Sequence, residues 1–189
     1  MKTKERIIQI ADKLLLERGY NAFSFKNISI ELGIKTSSIH YHFPTKTDLG
    51  IAIIHKHDIA LTNTILKLKH EAPVIKLEKL IIYYKKLALA NKVCIVGALT
   101  SSVNTLDKQL QKEVLSFANK VIDWTQLIIE EGQQKKQIKQ FSNSHIKAKM
   151  IIAELMAFLQ LTRISHDKTS FDDMTYLLKE ELLVNKINL

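Results

Sequence analysis

The chain has 189 residues, 28 Lys/Arg against 19 Asp/Glu for a formal charge of +9, and one cysteine. That length allows one large domain or two small ones. Two prolines and five glycines point to an almost wholly helical protein, and a single thiol excludes an internal disulfide framework. With no run of 18 apolar residues and no signal peptide before the first amphipathic segment, neither a membrane span nor export is expected, and the location read is cytoplasmic.

The basic charge suits a polyanionic partner, but it is diffuse. Residues 1–58 carry nine Lys/Arg and six Asp/Glu, so the excess by itself describes a solvated surface. Ile7, Ile10, Ala11, Leu14 and Leu15 recur at helical spacing, with Thr3 as the expected cap and Gly19 as the stop. A second helix follows, capped by Ser24, with Phe25, Ile28 and Leu32 inward and Lys26, Asn27 and Glu31 outward. Gly33 supplies a turn between two short helices.

The third helix opens on Lys35, Thr36, Ser37 and Ser38, carries His40, Tyr41 and His42, and stops at Phe43-Pro44. Ile39 and Phe43 are core. Thr36, Ser37, His40 and Tyr41 share the polar side with Lys46, which stands at the foot of the next helix with Asp48 in its first turn. A short hydroxyl-rich helix is poor core material and suits insertion into the major groove of DNA. His40 and His42, like His55 and His57, sit at i and i+2 and diverge on a helix, so no metal site is expected. No acid pair, Ser-His-Asp arrangement or phosphate loop stands out, and the expectation is a non-enzyme without a cofactor.

A long helix over Thr47–His70 reads as the mechanical link to the rest of the chain, broken at Ala72-Pro73. Leu77–Asn91 has one apolar stripe, and Val93–Val103 is almost uncharged and expected to be buried on most sides. Asp107 caps a helix to about Lys135 whose apolar side is Val114, Phe117, Val121, Trp124, Leu127 and Ile128. Lys136–Ser144 reads as a loop ending in a cap at Asn143 or Ser144. The last two helices, His145–Ile164 and Phe171–Val184 (the latter entered through Ser170 or Asp172), carry more apolar residues than one stripe needs. Examples are Leu155, Leu159 and Leu161 in the first and Leu177, Leu178 and Leu182 in the second. A surplus apolar face suggests burial against a second copy.

Gly19-Tyr20, Ser24, Ile28, Gly33-Ile34, Ser38–Phe43 and Lys46-x-Asp48-Leu49 resemble the DNA-binding region of TetR-family transcriptional regulators. The run SIHYHFPTKTDLG is similar to the branch of the N-ethylmaleimide reductase repressor (NemR-like). Ser29 and Leu32 stand where that family usually has alanine, His40 where tyrosine is usual, and Ser37 where glycine is frequent, which bears on the operator rather than the fold.

The resemblance implies an all-α protein with a three-helix helix-turn-helix DNA-binding domain at 1–50 and a helical effector-binding and dimerisation domain at 51–189. It implies DNA contact through Lys35, Thr36, Ser37, Ser38, His40, Tyr41, His42 and Lys46, with Tyr41 and Lys46 on phosphates. It also implies a homodimer through the last two helices, and a repressor released from a palindromic operator by a small molecule or electrophile. For the effector, Cys94, Tyr84, Phe117, Trp124 and Met156 are the expected residues. Two readings of them stay open. Cys94 is either a sensor, as in the NemR-like branch, or a small buried hydrophobe, and the aromatics, Tyr83 among them, line a cavity or fill the core. The rival class is a helical ligand-binding or scaffold protein that no longer binds DNA, which predicts a degraded third helix.

Overall fold

A computed structural model describes residues 2–184. Among them lie nine α-helices: α1 Thr3–Arg18, α2 Phe25–Leu32, α3 Thr36–His42, α4 Lys46–Lys67, α5 Pro73–Leu89, α6 Ile95–Thr100, α7 Lys108–Gln134, α8 Ser144–Ser165 and α9 Ser170–Leu182. There is no sheet among the described residues, only an isolated bridge between Ile138 and Leu183. The fold class is all-α, as expected. No described helix is long and apolar enough to cross a membrane.

The chain divides into two compact units. The first runs to Thr62 and takes in Cys94–Ala118; the second comprises Asn63–Val93 and the residues from Asn119 onward. The head expected over 1–50 lies within the first unit. Its core is Ile7, Ala11, Leu14 and Leu15 of α1, Ile28 of α2, Ile39 of α3, Phe43, and Leu49, Ile53 and Ile54 of α4. α6 packs on α1 in the same unit. Gly50 of α4 faces Leu110 and Tyr20, where an added Cβ would come within 3.0 Å of Leu110 Cδ2.

The second unit packs α5 against α8 and α9, and α8 against α9. Leu77, Leu80, Ile81 and Tyr84 meet a core that also holds Trp124, Ile128, Ile129, Ile151, Leu155, Leu159, Phe171 and Leu178. Two buried lysines are paired, Lys76 to Glu131 at 2.6 Å and Lys147 to Glu181.

Several expectations need correction. α1 is capped from Lys2, whose N–H donates to Glu5 Oε2, rather than by Thr3. α9 begins at Ser170 with Thr169 as its N-cap, and Asp167 Oδ1 accepts the Thr169 and Ser170 N–H groups, so neither Ser170 nor Asp172 caps it. α6 is one short helix, and Val103, in the 3-10 turn after it, is exposed. Leu127 turns outward and Ile129 takes its place in the core. Each reflects a choice between neighbouring residues that composition leaves open.

Candidate nucleic-acid interface

The interface begins with how α2 and α3 are held. Ser24 caps α2, its Oγ accepting the Asn27 N–H, while Asn27 Oδ1 accepts the Ser24 N–H at 2.8 Å. Gly33 ends α2 in the left-handed region at φ 66°, which spares the turn the strain a side chain would bring. α3 then starts from Lys35 and is fixed by two buried residues, Ile39 and Phe43. Their burial directs the remaining side chains outward.

Tyr41 is 85% exposed, and Lys35, Ser37 and His40 are exposed with it. Ser38 and His42 are half-buried at the edge. His40 lies edge-on to Phe25 at 4.8 Å, and Tyr41 edge-on to His42 at 5.1 Å. Ser37, Ser38, Tyr41 and His42 line an open depression of about 500 Å³ together with Thr3 and Ile34. Thr3 was expected only as a cap and Ile34 only as part of the turn motif. Thr3 sits at the start of α1, where spacing alone cannot say that it lies beside α3.

Three of the expected contact residues are engaged within the protein: His40, whose Nδ1 lies 3.4 Å from Pro44 O, Thr36 and Lys46. The Thr36 hydroxyl donates to Ser29 Oγ at 3.3 Å, and Ser29 in turn donates to Lys26 O. Lys46 Nζ donates to Phe23 O at 2.6 Å and lies 4.6 and 4.5 Å from the Tyr20 and Phe23 ring centroids. Burial lowers the Lys46 pKa from the usual lysine value. The ammonium therefore ties the start of α4 to the loop ahead of α2, and with three donors it keeps two for another partner. Thr45 and Asp48 cap α4 reciprocally: Asp48 N–H donates to Thr45 Oγ1 at 3.1 Å and Thr45 N–H to Asp48 Oδ2 at 2.9 Å.

A polar cluster behind the head was not expected from the sequence. Asp12 on α1 is 8% exposed, yet both its oxygens are taken. Lys56 Nζ reaches Oδ2 at 2.5 Å, and His57 Nε2 lies 2.7 Å from Oδ1. Burial by itself would raise the Asp12 pKa; the bond and charge of His57, then those of Lys56, outweigh it and hold the carboxyl below its ordinary value. The available signal was an acid inside an apolar stripe, which must find a partner. His57 is thus engaged with Asp12, and no three His, Cys, Asp or Glu among the described residues gather into a metal-holding group.

The expected effector residues fall in both units. In the first, Cys94 is 3% exposed and caps α6, its Sγ accepting the Gly97 N–H at 3.3 Å. Phe117 is buried there as well, its ring centroid 6.4 Å from that of His57. In the second, Tyr84 and Trp124 are buried, Met156 is half-buried, and Tyr83 is 40% exposed.

The family model of bacterial regulatory proteins of the tetR family matches residues 7–53, the span of the head. A TetR transcriptional regulator from Legionella pneumophila is 31% identical, with a TM-score of 0.85 over 96% of this chain and 98% of that one. A TetR-family regulator from Agrobacterium tumefaciens gives a TM-score of 0.90 at 25% identity, over 96% and 97%. E. coli NemR in its reduced form shares the fold, with a TM-score of 0.79 at 17% identity over 98% and 100%. An uncharacterised HTH-type transcriptional regulator in the lacX 3′ region of Lactococcus lactis is 26% identical over 117 residues, 58% of this chain and 59% of that protein.

Proposed function

The chain belongs to the TetR family of transcriptional regulators, and from that premise we propose that it is a homodimeric repressor released from a palindromic operator by a small molecule or electrophile. Residues 1–50 read the operator and 51–189 take the effector and dimerise. The observation that carries the reading is the intact polar face of α3, with Tyr41 85% exposed over a buried Ile39 and Phe43. A scaffold that had abandoned DNA would not keep that face. Lys35, Thr36, Ser37, Ser38, His40 and His42 read or flank bases, and Tyr41 and Lys46 hold phosphates. A two-fold dimer presents two heads about 34–36 Å apart, one turn of DNA. Selection from a random duplex pool tests this directly: two inverted half-sites are expected, and recovery of no common sequence would overturn it.

Lys46 has a double role in this reading. Lys46→Met keeps an apolar stem over Tyr20 and Phe23 but removes the charge, and is expected to weaken binding to all duplexes alike and lower the salt slope by about one. Titration at several salt concentrations measures it. An unchanged slope would confine Lys46 to the bond with Phe23.

The NemR-like branch, with Cys94 as the sensor, is the finer form of the proposal. It is supported by the packing of α6 on α1, since a group added to the buried Cys94 sulfur must displace the start of α6. After N-ethylmaleimide the wild type is expected to lose operator affinity. Cys94→Ser keeps a capping oxygen for the Gly97 N–H and is expected to bind DNA and ignore the reagent. Mass spectrometry reports occupancy. A sulfur that stays unmodified in the folded protein, or full binding after modification, would return Cys94 to the core.

A further inference from the structure

We propose that Asp12, Lys56 and His57 are positioning residues that fix the rotation of the reading head about α4, and so set the spacing between half-sites that the protein accepts. The proposal rests on the two-fold operator reading above. Its starting point is that α1 packs on both α2 and α3, so whatever holds α1 holds the head.

The apolar burial that assembles this unit is non-directional. The cluster adds direction. Lys56 and His57 are adjacent on α4 and about 100° apart around it. They reach different oxygens of one carboxylate, Oδ2 at 2.5 Å and Oδ1 at 2.7 Å. One bond would act as a hinge, whereas two from different azimuths lock rotation.

The same turn of α4 is tied to α7. The His57 ring lies edge-on to Phe117 with centroids 6.4 Å apart, and His55 Nε2 is 3.6 Å from Glu113 Oε2. Three consecutive side chains of α4 therefore meet α1 on one side and α7 on the other, all within the first compact unit. An ion pair on a buried carboxylate such as Asp12 is poor evidence of stabilisation, because apolar replacements are often as stable; its best-attested use is to specify geometry.

The test uses duplexes carrying two copies of the half-site selected by the wild type, with the spacer varied one base pair at a time. Each step turns one half-site by about 35° relative to the other. Wild type is expected to prefer one spacing about 5- to 10-fold over its neighbours, a typical size for coupling between sites. His57→Phe keeps a ring against Phe117 and removes the bond to Asp12; Lys56→Met and Asp12→Asn cut the cluster from its other members. In each the preference is expected to flatten to about twofold. His57→Gln, which retains a donor, is expected to restore part of it.

A purely structural role would lower binding at every spacing by the same factor and leave the preference sharp, which would overturn the proposal. If His57→Phe fails to fold, Asp12→Asn and Lys56→Met decide by the same criterion. A wild type that binds its half-site with no dependence on spacing would instead remove the two-fold operator reading, and this inference with it.

Discussion

Leu161→Asp is expected to yield a folded monomer that no longer holds an operator, and Leu159→Asp, two residues away, an unfolded chain. About 200° separates the two positions around α8. Leu159 is 1% exposed inside its own chain, where a carboxylate has no partner. Leu161 is 54% exposed and belongs to a different face. There Ile146, Met150, Ala153, Ala157, Leu161 and Ile164 recur every three or four residues and all stay exposed. Tyr176 and Leu177 extend the apolar surface onto α9.

Apolar surface of this kind marks an interaction site. A dimer that covers it would bury the new carboxylate unpaired, at a cost of about 3–5 kcal/mol. That corresponds to a dissociation constant raised on the order of a hundred- to several-thousandfold. Sedimentation with far-UV circular dichroism separates the outcomes. A Leu161→Asp protein that still sediments as a dimer and binds DNA would move the interface elsewhere.

That pair of leucines also marks where reading the sequence reached its limit. Periodicity identified α8 and α9 and the surplus of apolar residues on them. It could not divide the surplus between core and surface, because Leu159 and Leu161 are the same residue in the same helix. The head was more legible. Ser24, Gly33, Ile39, Phe43 and Asp48 are each constrained by a local rule of capping, turn or burial, and the structure holds them in the roles those rules assign. What escaped were pairings between distant parts of the chain. Asp12 and His57 are 45 residues apart, and Lys46 finds Phe23 O across 23. No local pattern announces such partners.

Ser29 shows a departure from the family pattern acquiring a physical meaning. Alanine there could not accept the Thr36 hydroxyl, and the bond to Ser29 Oγ holds that group toward α2. On the operator reading proposed above, the serine changes what the first turn of α3 offers to a base. The same reading places the origin of that change at a buried position, 7% exposed.

Phe43→Ala is expected to abolish operator binding while the protein remains a dimer. Phe43 is 3% exposed and closes α3, its N–H donating to Ile39 O at 2.8 Å, with Lys4 Nζ 5.5 Å from the ring centroid. Removing a buried phenyl costs about 3–5 kcal/mol. For a head of three short helices that is a large share of a domain's usual stability of about 5–15 kcal/mol. Tyr41→Ala provides the contrast. It lies two residues earlier on the opposite face, 85% exposed, so its loss is expected to leave the fold intact and to weaken binding by about the 0.5–1.5 kcal/mol of one hydrogen bond. Hydrogen exchange should show Phe43→Ala losing protection across α2 and α3 but keeping it in α8, with Tyr41→Ala protected like the parent in both. If Phe43→Ala bound the operator with parental affinity, the aim of α3 would depend on Ile39 alone and the anchoring role given to Phe43 would be wrong.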